Sequence, residues 1–138
     1  MARKLNAAFL CTLMLAACNQ SQTQQAEGNA PTIKVRSAEQ EQLHQLDALN
    51  LAIGLKRAIY DAGYTCKTIT EAGFAGEYKN LDMWMARCTY DGKQQRDWAI
   101  FAGPDGSAQV RDCRDIPGTG LPDCAIKQRP KGDFNEVK

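Results

Sequence analysis

At 138 residues, with 17 Lys and Arg against 16 Asp and Glu, the chain is nearly neutral and long enough for one domain around one core. It has no cluster of cations of the kind that gives proteins affinity for a phosphate backbone, so no nucleic acid is expected as a partner. No internal repeat is visible.

Met1-Ala2-Arg3-Lys4 is a basic start, and residues 5–17 form a mostly apolar run of 13 that ends in two alanines. This is the layout of a secretory signal peptide over residues 1–17. It is too short for a finished membrane-spanning helix, which needs about 20 residues. The run closes on Leu15-Ala16-Ala17-Cys18, which resembles the lipobox of bacterial lipoproteins. The resemblance covers residues 1–18. It implies that Cys18 becomes the first mature residue, carrying lipid on its sulfur and its amine. An ordinary cleavage site that happens to precede a cysteine is the plainer alternative.

Each buried acyl methylene contributes about 0.8 kcal/mol, and two or more chains hold stably where one does not. The expected membrane partner is therefore lipid, engaged through acylated Cys18 without a spanning segment. In Gram-negative lipoproteins an aspartate after the lipidated cysteine favours the inner membrane. Asn19 stands there instead, so the resemblance implies the outer membrane, with the protein facing the periplasm. Taking the leader from 138 residues leaves 121, and taking Arg3 and Lys4 from the 17 cations leaves 15 against 16 acids.

Residues 18–36 are rich in Gln, Ser, Asn and Thr and almost free of apolar side chains before Ile33 and Val35. Such a segment cannot bury enough surface to offset its ordering entropy, and it reads as a flexible tether. A glutamine-rich partner-binding arm is the alternative.

Ser37-Ala38-Glu39-Gln40 fits a capping box that opens a helix. From there to Ala62 the polar residues Asp47, Asn50, Gly54, Arg57 and Asp61 follow one line at spacings of 3, 4, 3 and 4. Leu46, Leu49, Leu51, Ile53, Leu55, Ile59 and Tyr60 fill an apolar arc wider than one sheet needs. One long N-terminal helix of about 25 residues is expected, ended by Gly63 with Tyr64 following as in a Schellman motif. The polar line reads as the solvated side, with a functional groove as the alternative. His44, the only histidine, lies among glutamines and is expected to be exposed.

Residues 64–70 are β-branched and alternating, and a first strand is expected there, with residues 71–80 as a loop. Residues 81–89 alternate, placing Trp84, Ala86 and Cys88 on one side and Met83, Met85 and Arg87 on the other. Tyr90-Asp91-Gly92 predicts a three-residue hairpin loop, which would set Trp98 opposite Trp84. Gly103-Pro104-Asp105-Gly106 predicts a second turn, with Val110 against Ile100 and Ala108 against Ala102. The core face is then Trp84, Ala86, Trp98, Ile100, Ala102, Ala108 and Val110. The expected fold is α+β: the long helix packed on a meander of about four antiparallel strands. Met83 and Met85, on the other face, would form an apolar patch for a protein partner.

Cys11 leaves with the leader and Cys18 carries lipid, so Cys66, Cys88, Cys113 and Cys124 remain. An even number in a chain addressed to an oxidising compartment favours disulfides over metal or free thiols. Of three possible pairings, Cys66–Cys88 with Cys113–Cys124 closes loops whose entropy is worth about 3 kcal/mol each. The domain would span residues 37–126, with 127–138 a frayed polar tail.

No Cys-x-x-Cys redox motif and no histidine-bearing metal cluster is present, so no metal and no cofactor is expected. No catalytic set is evident: His44 has no convincing nucleophile, and of Asp91, Asp105 and Asp112 the first two are ordinary turn residues. The expectation is a lipid-anchored, non-catalytic periplasmic interaction domain with an envelope protein as partner. The alternative is an inhibitor of a periplasmic or cell-wall hydrolase, with residues 114–123 as a pre-ordered plug.

Overall fold

A computed structural model describes residues 36–91 and 94–134. The elements in order are helix α1 (Ala38–Gln45), helix α2 (Ala48–Asp61), and strands β1 (Thr68–Tyr78), β2 (Leu81–Thr89), β3 (Gln95–Ala102) and β4 (Ala108–Asp112). The strands form one antiparallel sheet in the order β1-β2-β3-β4. Helices on an antiparallel sheet, with two disulfides, make an α+β fold.

The single long helix expected from Ser37 to Ala62 is instead two. The capping box forms, with Gln40 N–H donating to Ser37 Oγ and Ser37 N–H donating to Gln40 Oε1, both at 3.2 Å. The helix then stops: Leu46 is extended at ψ 143°, and Asp47 caps a new helix by accepting from Asn50 N–H at 2.8 Å. Ala48 N–H, left without an intrahelical partner, donates to the Lys131 carbonyl at 2.8 Å. Asp is a preferred N-cap and a weak helix-interior residue, and the Lys131 carbonyl, by accepting from Ala48 N–H, supports the break at this point. Gly63, at φ 84°, ends α2, and Tyr64 N–H reaches back to the Ile59 carbonyl at 3.0 Å.

α2 buries Ala48, Leu51, Ala52, Leu55 and Ile59. Opposite them lie Ile69, Ala72, Trp84, Ala86, Trp98, Ile100 and Ala102, with Val110 partly buried at the margin. Ala108, expected in this core, is exposed because it lies on the edge strand beyond the cover of the helices. The polar line from Asp47 to Asp61 is solvated, as read.

The β3–β4 hairpin has the expected register, with Ile100 opposite Val110 and Ala102 opposite Ala108. The β2–β3 hairpin is shifted by two residues: Trp84 faces Ile100, and Trp98 faces Ala86. Its connection runs from Tyr90 to Gln94, longer than the three residues expected. An even shift preserves every side chain's face, so the core composition survives the error.

The stretch expected to be a loop, residues 71–80, is mostly strand. β1 continues to Tyr78 through two bulges, between Ile69 and Glu71 and between Phe74 and Gly76. Gly73 belongs there for a reason of space. A Cβ at that position would lie 2.5 Å from the Gln128 carbonyl oxygen and 2.6 Å from Ile126 Cγ2. Residues 127–134 are therefore not a frayed tail. Lys127 N–H donates to the Phe74 carbonyl at 2.8 Å, Phe74 N–H to that of Gln128 at 2.9 Å, and Phe134 packs on the helix-side core.

Candidate functional site

The expected partner patch at Met83 and Met85 is not on the surface. Met83 is 0% and Met85 3% exposed. With Ala75, Ala99, Phe101 and Ile116 they form a second core on the face of the sheet away from the helices, bordered by Leu121 and Ile126. Strand alternation assigns a residue to a face and is silent on whether that face is covered. The covering chain comes from beyond β4, where Cys113–Cys124 turns it back over the sheet.

Both disulfides join the expected pairs, with Cα–Cα distances of 5.3 Å for Cys66–Cys88 and 5.8 Å for Cys113–Cys124. The first lies in the helix-side core. The second follows β4 through a short 3-10 turn at Cys113–Asp115. Within the loop that it closes, Ile116 is buried while residues 117–120 are exposed. Thr119 N–H and Oγ both donate to the Ile116 carbonyl, at 3.2 and 2.6 Å. The loop is thus a core cover with an exposed four-residue tip that Thr119 ties back to Ile116. Cys18, the signal segment and the tether lie outside the described residues.

His44 is not the exposed side chain that its glutamine-rich surroundings suggest. Its Nε2 lies 3.0 Å from Oδ2 of Asp82, a residue 0% exposed, and its ring packs between Phe74 and Trp84 at 4.8 Å from each. Arg36 Nε donates to the same oxygen at 3.2 Å, and Arg36 Nη2 to Glu77 at 2.8 Å. The last tether residue is therefore tied to the sheet through a buried carboxylate. Within the described residues, Asp82 Oδ1 and Trp84 Nε1 are buried without a hydrogen-bond partner. An acid in an otherwise apolar strand, LDMWMARCT, was the available signal.

At the other end of the sheet is a broad open cleft of about 1130 Å³. Tyr64 stacks on Trp98 with ring centroids 4.5 Å apart, and the Arg96 guanidinium lies 5.5 Å above the Trp98 ring. Trp98 Nε1 donates to the Tyr90 hydroxyl at 3.3 Å, and that hydroxyl donates to the Thr65 carbonyl at 2.5 Å. Asp112 sits between two cations: Arg114 Nη2 at 2.6 Å and Arg96 Nε at 3.5 Å. The Arg114 hydrogen bond holds the Asp112 carboxyl below its ordinary range, so it stays ionised. Two guanidiniums share this carboxylate beside three aromatic rings, and Asp115 also acts on Arg114. Arg87, also in the cleft wall, is satisfied by Asp97 at 2.8 Å and Glu71 at 2.6 Å, and Glu71 in turn pairs with Arg129.

Among the described residues, the exposed large apolar ones are Leu49, Ile53, Tyr60 and Tyr64. The first three share the outer side of α2, and Tyr64 carries that surface into the cleft. This is the spare apolar arc that the sequence indicated, located on the helix and not on the sheet. Asp91, Asp105 and Asp112 are engaged separately, with Lys67, Ser107 and Arg114. Among the described residues, no three His, Cys, Asp or Glu side chains are placed to hold a metal, and no helix is long and apolar enough to cross a membrane. The two disulfides are compatible with an oxidising, extracytoplasmic compartment. Comparison with protein-family models, with curated proteins and with solved structures finds no match in any of the three.

Proposed function

We propose that the protein is a lipid-anchored component of the cell envelope, attached through acylated Cys18 to the outer membrane and facing the periplasm. In this reading its domain is a non-catalytic interaction module for another envelope protein. The observation that carries it is the cleft of Tyr64, Tyr90 and Trp98 with Arg96 and Arg114. Tyr, Trp and Arg are the residues in which interface hot spots are richest. The exposed guanidiniums of Arg96 and Arg114 select the occupant: a protein surface that brings a carboxylate next to an apolar or aromatic side chain. Thr65, Gln94 and Gln95 add a polar rim around the aromatic centre, as in standard interfaces.

A photocrosslinking side chain at Tyr64, used in intact cells, should form a discrete protein adduct that is absent with the same label at exposed Lys79. Adding Arg114→Glu should remove the adduct. Identical patterns at 64 and 79, or insensitivity to Arg114→Glu, overturn the reading of the cleft. Mass spectrometry should find acylated Cys18 at the mature N-terminus; an unmodified residue 18 overturns the anchor.

The second reading, an inhibitor of a periplasmic or cell-wall hydrolase, is favoured by the exposed tip at residues 117–120, which is ordered before any encounter. Replacing residues 117–120 with a glycine-serine turn should abolish inhibition of a susceptible hydrolase while leaving the fold intact. Retained inhibition by that variant would set the tip aside.

A further inference from the structure

β4 has no strand on its outer side among the described residues, whereas the opposite edge, β1, is covered at Phe74 by Gln128. The preceding turn sets the phase of the β4 hydrogen bonds. Gly103 N–H donates to the Ser107 carbonyl at 2.8 Å, so these two residues pair inward. By alternation Gln109 and Arg111 also bond to β3, and Ala108, Val110 and Asp112 aim their N–H and C=O groups outward. Beside this edge, on the helix side, runs a groove of about 460 Å³, with Ala102 and Ala108 on one wall and Gly54, Arg57, Ala58 and Asp61 of α2 on the other. Arg57 and Asp61, 85% and 74% exposed, form an i,i+4 ion pair with Nε and Oδ2 3.8 Å apart on the same helix.

We infer that this edge is a homodimer interface, in which two copies pair β4 to β4, antiparallel about a two-fold axis through Val110. The sheet then runs continuously through four strands from each copy. The edge is complementary to itself in this register. Gln109 faces Arg111 of the second copy, so an amide oxygen meets a guanidinium, and Ala108 faces Asp112 of the second copy. A slip of two residues in one direction would set Arg111 against Arg111, which like-charge repulsion disfavours, and in the other it would lose the Gln109–Arg111 contacts. On the helix side, the two-fold axis runs the α2 helices antiparallel. Arg57 of each copy then exchanges the exposed Asp61 of its own helix for Asp61 of the other. A Cβ at Gly54 would meet nothing within 4 Å, so the space there is open for a neighbouring helix. A foreign strand would satisfy the backbone of β4 but has no reason to match the alternating charges of α2. The inference depends neither on the cleft nor on the anchor.

The test is sedimentation of the purified full chain, in density-matched detergent, across micromolar concentrations. The wild-type chain should be dimeric, and Val110→Pro, which removes an outward N–H, should be monomeric. Arg57→Asp and Asp61→Arg should each weaken self-association at least about tenfold by placing like charges across the axis. An equal mixture of these two variants should form heterodimers, because each then supplies the charge that the other lacks. That rescue separates an interface from a folding defect. A monomeric wild-type chain, a dimer that survives Val110→Pro, or a mixture that stays monomeric overturns the inference.

Discussion

His44 Nε2 lies 3.0 Å from Asp82 Oδ2, joining the second turn of α1 to the first residues of β2 across 38 positions of sequence. The contact explains how a short polar helix stays on the sheet. α1 buries only Gln40, whose Nε2 donates to the Asn80 and Ala102 carbonyls at 2.9 and 3.1 Å. Polar anchoring replaces the apolar face that α1 lacks, and it places Arg36, where the tether ends, over the same carboxylate.

Removing that carboxylate should be costly. Asp82→Ala leaves His44 Nε2 without its buried partner and Arg36 with Glu77 alone, and a loss of about 2 kcal/mol is expected. Urea unfolding with both disulfides intact measures it. A loss under about 0.5 kcal/mol, the usual range for surface changes, would show that the cluster is not what holds α1.

Gly73→Ala should dislodge the C-terminal crossing. The new methyl group would overlap the Gln128 carbonyl and Ile126, and backbone cannot yield as a flexible side chain can. Overpacking of this kind costs about 1–3 kcal/mol. Hydrogen exchange should report it locally, with faster exchange at the Phe74, Lys127 and Gln128 amides than elsewhere in the sheet.

The Cys113–Cys124 bond should protect the two methionines of the core against which it packs. Replacing both cysteines with alanine loosens the cover at Ile116 and Leu121, and the loop-entropy model gives a loss of about 3 kcal/mol for a loop near this size. Under mild peroxide, Met83 and Met85 should resist oxidation in the wild-type chain and form sulfoxides in the variant, as read by mass spectrometry. Equal resistance in both would mean that the second core closes without its staple.

Acid should weaken the corner at Asp112. Arg114 lowers the folded-state value of this carboxyl below the unfolded one, its hydrogen bond being the largest cause. The resulting stabilisation is fully present above about pH 4, the unfolded Asp range, and is lost as pH falls through the lowered folded value. Asp112→Asn keeps the cap acceptor for Arg114 N–H and removes the charge. It should be less stable than wild type at pH 7, with the gap closing on titration toward about pH 2. A gap that does not change with pH would assign its origin to packing.

The sequence by itself determined the faces taken along β2, β3 and β4, the capping box at Ser37, the stop at Gly63 and the β3–β4 register, and it favoured, among three possibilities, the cysteine pairing that forms. These are local matters: periodicity, turn chemistry and loop length act over a few residues, so a short window carries them. It also held the signs of a lipid anchor at Cys18, which concern a stretch outside the described residues. Only the tertiary structure decided that Met83 and Met85 are core, that α1 ends at Gln45, that β1 runs through its glycines, and that His44 meets Asp82. Each of these turns on one long-range event, the return of residues 116–131 across the back of the sheet to β1 and the start of α2, or on the docking of α1 onto the sheet. Whether a face is solvent or interior depends on what another part of the chain lays over it, and no local pattern encodes that cover.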